Sequence, residues 1–451
     1  MHLRTQILLV SLFLFALPVF SQVEPSATGG GQSSGDDSDM MTPPPVSGMP
    51  YAGGAEADAR SNYLTASVGA NAGYNDNIVP GATAQSRSDE NYSIYPSIAL
   101  SKTAGRQEVT LGYSPSFLFY QHTTTLDTVN QAASLTFQDR LSPHLTLSIQ
   151  DYFVRTNDVF GQSYPFAAGN LTGTTQAPVP ALLVPYVEQM SDTASGSIDY
   201  QVGRNTMIGG GGSYSTFSFP DPAAAAGLSN SDGETGSAFF SRRFSGKNYG
   251  GLSYNYAFDV VTDAPYAPFN TQVHSLLPFY SVYFNPRFSF SMSAGIQHLD
   301  ISQLGQKSYD AWETAGSASM GWQGTRGSFD ISYLHSINTG EGFSQPIISD
   351  SVSASTSWKL SPTWNGGFEV SYVNSSPVST TVGIVNYGYQ GGNAFTMGAT
   401  LGHNLGEHLG VSCGYDRLQE NYPGISFIAK NPDSDLVMVN FSYQFRRSLG
   451  R

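Results

Sequence analysis

The chain has 451 residues, of which only 12% are charged and 40% are hydrophobic, and it carries 34 acidic against 20 basic side chains. Typical soluble domains have about 25% charged and about 45–50% apolar residues, so both classes are scarce here. Aromatic residues (13%) argue against disorder, 48 glycines against a helical bundle, and the net charge of −14 against a nucleic-acid partner. The single cysteine, Cys413, excludes an intramolecular disulfide and a cysteine-based metal site.

The N-terminus has the parts of a secretory signal peptide. Arg4 lies in a short head, and residues 7–20 form an apolar run of 14 residues, which is short for a bilayer span but suits a signal-peptide core. We expect cleavage after Ser21, so residues 1–21 are a signal peptide and the chain leaves the cytoplasm. Residues 22–60 are acidic and of low complexity, which predicts a disordered leader that acts as a spacer or as a periplasmic tether.

From residue 61 onward, apolar and small polar residues alternate. Near the start, Leu64, Val68 and Tyr74 share one face, while Ser67 and Asn71 share the other. This period of two is typical of strands with one apolar and one polar face. The predicted segments are 62–74, 91–102, 107–120, 129–141, 145–155, 190–202, 206–218, 234–244, 248–258, 272–284, 287–298, 311–323, 328–337, 350–360, 364–374, 393–405, 408–416 and 435–446.

Two kinds of connection alternate between these segments. Links such as 103–106 and 142–144 are short and rich in Gly, Pro, Ser and Asn, as in hairpins, whereas the intervening links are usually longer. Strict alternation places all short turns on one rim and all long loops on the other. It predicts an all-β fold for residues 61–451: a transmembrane antiparallel up-and-down β-barrel of about 18 strands, with 16 as the alternative count. A soluble β-sandwich is disfavoured, because no linker divides residues 61–447 into the several domains it would need.

Charge is sorted between the two predicted rims. Most acids lie in or near the long loops, whereas most bases lie in or beside the short turns or at the C-terminus. A lysine or arginine that faces lipid at the bilayer midplane costs about 2–4 kcal/mol, so a barrel confines such charges to its rims. The bases near the short turns and C-terminus are Lys102, Arg106, Arg140, Arg204, Arg242, Arg243, Lys247, Arg287, Arg326, Lys359, Arg446, Arg447 and Arg451.

Aromatic residues cluster near the predicted strand ends, where amphipathic rings favour the membrane–water interface. A girdle across many strands is expected from this pattern. Its members are Tyr63, Tyr74, Tyr92, Tyr113, Tyr120, Tyr249, Trp312, Trp322, Trp358, Trp364, Tyr415 and Tyr443.

The last predicted strand has alternating aromatic residues, Phe441, Tyr443 and Phe445. It resembles the C-terminal assembly signal of bacterial outer-membrane proteins, although six residues follow Phe445 here. The region 61–447 as a whole resembles the β-barrel porin families of these membranes. The resemblance implies a location in the outer membrane of a diderm bacterium, contact with its lipid and lipopolysaccharide, delivery by the barrel assembly machinery, and passive diffusion of small hydrophilic solutes.

The third long loop, residues 156–189, is the candidate pore constriction, because the corresponding loop of general diffusion porins folds into the pore. Its candidate residues are Asp158, Tyr164, Pro185 and Glu188. Since the loop carries few charges, weak charge selection is expected at the constriction. The acidic outer rim should favour cations modestly at low salt.

No catalytic, cofactor-binding or metal site is predicted, and the chain is not expected to be an enzyme. Acid pairs such as Asp433 and Asp435 are interpreted as solvated charged residues of the loops. A Ca²⁺ site formed by loop acids is the less favoured alternative. Two other functions stay open: a non-conducting scaffold for envelope assembly or polysaccharide export, and a barrel enzyme that uses serine and histidine on lipid or peptide. Homo-oligomerisation and the transported solute are left open by the sequence.

Overall fold

The computed structural model describes residues 62–79, 86–157, 187–221, 229–262, 268–285, 287–303, 308–338, 346–378, 391–421 and 433–449. In these ranges eighteen strands form one closed antiparallel barrel, with a short 3-10 helix at Thr124–Leu126. The predicted up-and-down barrel and the count of eighteen are confirmed. The strands are β1 (Tyr63–Asn75), β2 (Asp89–Ala104), β3 (Gln107–Tyr120), β4 (Thr128–Ser142), β5 (Leu145–Thr156), β6 (Gln189–Gly203), β7 (Thr206–Ser218), β8 (Asn230–Ser245), β9 (Asn248–Thr262), β10 (Phe269–Asn285), β11 (Phe288–Gln303), β12 (Tyr309–Gln323), β13 (Gly327–Asn338), β14 (Ile347–Lys359), β15 (Trp364–Pro377), β16 (Gly392–Asn404), β17 (Leu409–Asn421) and β18 (Asp433–Ser448).

Each strand pairs with its neighbours in the chain, and β18 closes the ring by pairing with β1. Val439 lies opposite Ala72 and Phe445 opposite Ala66 along this closing seam. Leu449 then donates its backbone N–H to the carbonyl of Asn62 at 2.8 Å. Because closure gives backbone groups partners within the sheet, a barrel of this kind can stand in lipid.

The two rims differ in the length of their connections, as predicted. The links after β2, β4, β6 and every later even-numbered strand before β18 contain at most four residues. Gly105 adopts a φ of +63° in the first of these turns, a conformation that side chains disfavour. Both the start of β1 and the end of β18 lie on this short-turn rim.

Large apolar side chains cover the outer face of the sheet. Val68, Ile296 and Phe441 are about half exposed, at 47%, 50% and 53%, and Cys413 is exposed on the same face. Within the described ranges, no helix is long and apolar enough to cross a membrane.

Some of the aromatic residues predicted to form a girdle face outward, and others do not. Trp312 is 66% exposed, and Tyr74 and Trp364 also lie outward. The prediction was wrong for Tyr63 and Tyr120, which alternate with the outward Val68 and Phe119 of their strands and therefore face inward. It was also wrong for Tyr249, which is fully buried and packs with Met207 and Phe239. Its odd position in β9 directs the side chain inward, because Leu252 and Tyr254 mark the even positions as outward.

Candidate functional site

The lumen wall is built from small polar side chains, many of them serines. Inward positions alternate with exposed apolar ones, as where Ser291 and Ser293 are buried while Met292 lies outward. Across neighbouring strands the inward hydroxyls stand directly opposite one another and hydrogen-bond in pairs. The distances between hydroxyl oxygens are Ser67–Ser97 2.7 Å, Ser213–Thr235 2.6 Å, Ser293–Ser317 2.8 Å, Ser328–Ser357 2.7 Å and Ser332–Ser353 2.6 Å.

Three carboxylates, which we call the acidic ladder, form a row on one side of the lumen. Asp330, Glu369 and Asp416 belong to β13, β15 and β17, and cross-strand pairs through Ser355 and Gly398 connect them. A β-carbon at Gly398 would lie 2.9 Å from Oδ1 of Asp416 and 3.0 Å from Oε1 of Glu369, so both carboxylates lean over this glycine. Ser355 donates its hydroxyl proton to Asp330.

The acidic ladder also climbs along the lumen. Asp330 lies three positions above Gly327, the first residue of β13, Glu369 five above Trp364, and Asp416 seven above Leu409. Since these strands start at the short-turn rim and barrel strands are tilted, each step raises the next carboxylate by about 5 Å.

Inward basic side chains occur only near the short-turn rim of the described strands. They are Arg140, Arg243, Lys359 and Arg446, each within the last three residues of its strand. Arg446 stacks its guanidinium over the ring of Tyr63 at 3.7 Å. Above this rim the charged side chains of the described lumen wall are acidic.

Two inward aromatic rings lie flat against the wall because glycines leave space beneath them. A β-carbon at Gly69 would stand 1.8 Å from Cε2 of Tyr95, and one at Gly209 would stand 2.3 Å from Cε1 of Phe239. Both glycines lie opposite their rings in the neighbouring strand. The glycines therefore keep these rings out of the centre of the lumen.

The loop-side end of the lumen contains a group of apolar side chains that the sequence did not predict. The upper parts of β9–β11 point Val261, Phe269, Val273, Leu299 and Ile301 inward, and all five are buried. Residues at the upper ends of β13–β15 pack against them, although the alternation of side chains along these strands would direct these residues outward. We call this contact the apolar overlap; its members on this side are Ile337 of β13, Ile348 of β14 and Val378, which directly follows β15.

The apolar overlap requires the upper ends of β13–β15 to lie inside the wall. Tyr333 is exposed on the outer face of β13, so Ile337, four residues later, would share that face, yet it is buried against Leu299. Its backbone N–H donates to Oε1 of Gln297 on the inner face of β11, at 3.2 Å. The ends of these strands have thus turned inward onto the wall.

Of the predicted constriction residues, only Glu188 falls within the described ranges; Asp158, Tyr164 and Pro185 lie outside them. Glu188 forms an ion pair with Arg155 that joins the loop-side ends of β5 and β6. Arg155 alternates with Ile149 on the outer face, so this pair lies outside the lumen. Whether the loop constricts the pore stays a prediction.

The C-terminal assembly residues lie where a lipid-facing strand would place them. Phe441, Tyr443 and Phe445 are each about half exposed on the outer face of β18. Their role in assembly stays a prediction.

The acids Asp433 and Asp435 are held by an arginine. Arg417 donates to both carboxylate oxygens of Asp435, at 3.1 and 2.9 Å, and its Nη2 lies 3.8 Å from Asp433. The Tyr415 hydroxyl donates to Asp435 at 2.6 Å. In the part of the chain that the structure describes, no group of three or more His, Cys, Asp or Glu could hold a metal ion.

A closed barrel with an apolar outer face and a hydroxyl-lined inner face defines a transmembrane β-barrel of the outer-membrane type. No protein family matches the sequence, and no curated protein matches it. Among solved structures, the unliganded ferric citrate transporter FecA is similar with a TM-score of 0.45 and 9% identity, over 86% of this chain and 79% of that chain. Acinetobacter baumannii OccAB4 has a TM-score of 0.42 and 11% identity, over 87% and 100%. Pseudomonas aeruginosa OprD has a TM-score of 0.42 and 11% identity, over 86% and 96%. The similarity is limited to general barrel architecture.

Proposed function

We propose that this protein is an outer-membrane channel through which small hydrophilic solutes diffuse passively. The observation that carries this proposal is the wall of paired hydroxyls inside an eighteen-stranded ring. Barrels of 16–18 strands are wide enough to leave an aqueous lumen. Hydroxyl groups both donate and accept hydrogen bonds, so they suit hydrated sugars and ions equally well.

The charge of the lumen favours cations. The acidic ladder has no inward basic side chain beside it in the described strands, and Asp259 and Glu313 add inward carboxylates nearer the loops. Clefts lined with one sign of charge raise the local concentration of counter-ions, and salt screens this effect. We therefore expect preference for potassium over chloride that weakens as the salt concentration rises.

Delivery to the outer membrane follows from the two ends of the sequence. Residues 1–21 act as the export signal, and Phe441, Tyr443 and Phe445 present the last strand to the barrel assembly machinery. The outer face then contacts lipid and lipopolysaccharide. Sedimentation in detergent would decide between a monomer and a homo-oligomer.

Single-channel recording in planar bilayers tests the channel. Purified, heat-modifiable protein should give stepwise conductance, and sugars of increasing size should reduce it until they no longer enter. Protein that was unfolded by boiling is the control. A folded sample that yields no steps would contradict the proposal.

A non-conducting scaffold for envelope assembly or polysaccharide export is the second candidate, and the apolar overlap favours it, because apolar side chains in the lumen oppose the passage of water. A deletion strain separates the two. Loss of surface polysaccharide with unchanged solute uptake supports the scaffold, whereas reduced uptake with intact polysaccharide supports the channel.

A further inference from the structure

The backbone pairing between β12 and β13 ends before either strand does. Its last cross-strand pair joins Gly316 to His335, although β12 begins at Tyr309 and β13 ends at Asn338. On their other sides both strands stay paired to their ends, with Ile301 opposite Tyr309 and Asn338 opposite Ile347. In the described residues, this is where two adjacent strands separate; we call it the β12–β13 seam.

The end of β13 makes contacts inside the lumen in place of the missing backbone hydrogen bonds to β12. The Ile337 N–H, which has no cross-strand partner in β12, donates to Gln297. Its side chain joins Leu299, Val273 and Ile301 in the apolar overlap. The amide of Gln297 is held in turn, because its Nε2 donates to Ser275 at 2.8 Å.

A second arrangement of β12 and β13 would also give the Ile337 N–H a hydrogen-bond partner and the Ile337 side chain an apolar environment. If the register of β12 and β13 continued beyond Gly316 and His335, Thr314 would stand opposite Ile337. Ile337 would then face outward, as Tyr333 and His335 do. Its apolar side chain would contact lipid there instead of the apolar overlap. Opposed N–H and C=O groups would replace the bond to Gln297.

We propose that the β12–β13 seam is a latch with two states. In the docked state, seen here, Ile337 lies in the lumen and narrows it; in the zipped state, β13 extends its ladder with β12 and Ile337 leaves the lumen. The choice between the states sets the size limit of the pore. Ile337 is thus a specificity-determining residue.

The base of the seam is His335, the last residue of β13 that pairs with β12. His335 Nδ1 lies 2.9 Å from Oδ1 of Asp350, and its Nε2 lies 3.3 Å from Oγ1 of Thr314. These contacts join β13 to β14 and to β12 on the outer face, and Thr314 lies two positions above Gly316, the last residue of β12 that pairs with β13. The movement is therefore confined to the residues above His335.

Cysteine trapping tests the latch. In a Cys413→Ser background, Thr314→Cys/Ile337→Cys should form a disulfide under mild oxidant, because directly opposed residues have β-carbons about 4.5–5.5 Å apart. The control pair is Ala318→Cys/Tyr333→Cys, whose residues already stand opposite each other in the ladder. Heat-modifiable mobility on a gel verifies that each variant is folded, and the disulfides are detected by mass spectrometry.

Conductance then reports the effect on the pore. This measurement depends on the proposed channel function. The oxidised 314/337 variant should conduct at least about 1.5-fold more than after reduction, since the zipped wall is wider, while the control pair should not change. Failure of 314/337 to cross-link where 318/333 does, or cross-linking without a conductance change, would overturn the latch. If no variant conducts, the channel proposal fails, and the cross-linking result still decides whether the seam closes.

Discussion

Glu369 and Asp416 approach each other over Gly398, with carboxylate oxygens directed at the same point of the lumen wall. The two residues are 47 positions apart in the chain, and the register of β15, β16 and β17 brings them together. No inward basic side chain accompanies them, because inward bases of the described strands lie near the short-turn rim. Their combined field should dominate ion selection.

Removal of this pair should weaken cation preference. Glu369→Gln/Asp416→Asn should lower the potassium-to-chloride permeability ratio by roughly twofold or more at low salt. Reversal potentials in a salt gradient measure the ratio. Asp310→Asn is the matched control, because Asp310 is exposed on the outer face of β12. An equal change in the control would show that lumen charge is not responsible.

The glycine beneath Tyr95 should control how far this ring extends into the pore. Gly69→Val leaves no space for the ring against the wall, so Tyr95 must rotate toward the centre and conductance should fall. Gly69→Val/Tyr95→Ala should restore conductance. Gly236→Ala serves as the control because a β-carbon there meets no atom within 4 Å. Loss of conductance that Tyr95→Ala does not rescue would point to misfolding instead.

Neutralising Glu188 should leave ion selection unchanged. Its partner Arg155 faces outward, and exposed ion pairs typically contribute about 0–1 kcal/mol. Glu188→Gln should therefore match the wild type in reversal potential and in gel mobility of the folded form. A clear loss of selectivity would instead place Glu188 at the constriction that the sequence suggests.

The contacts of Arg417 should stabilise the loop-side end of β17 and β18. Asp435→Ala removes two hydrogen bonds from Arg417 and one from the Tyr415 hydroxyl, and should lower the free energy of unfolding by about 1–2 kcal/mol, since partial exposure reduces their value. Asp433→Ala is the matched control and should have a smaller effect, because its contact with Arg417 is 3.8 Å long. Urea titration in detergent measures both. Added Ca²⁺ should change neither variant nor wild type.

The period of two was enough to predict the barrel, its strand count and the outward placement of residues such as Val68 and Phe441. It could not locate the acidic ladder, because Asp330, Glu369 and Asp416 become neighbours only through strand register and tilt. Tyr249 was misplaced because closeness to a turn was given more weight than its odd position in the strand. Ile337 occupies a position that the alternation of β13 would direct outward, and it lies inward only because β13 separates from β12 there.

The paired hydroxyls of the lumen have a kinetic consequence. In serine pairs such as Ser293 and Ser317 each hydroxyl already has one hydrogen-bond partner, so a passing molecule gains little by displacing that partner. A wall of this kind holds no solute for long, and encounters with it are brief. Flux should rise in proportion to the concentration gradient without saturating, so that the supply of solute, rather than occupancy of the wall, sets the rate of uptake.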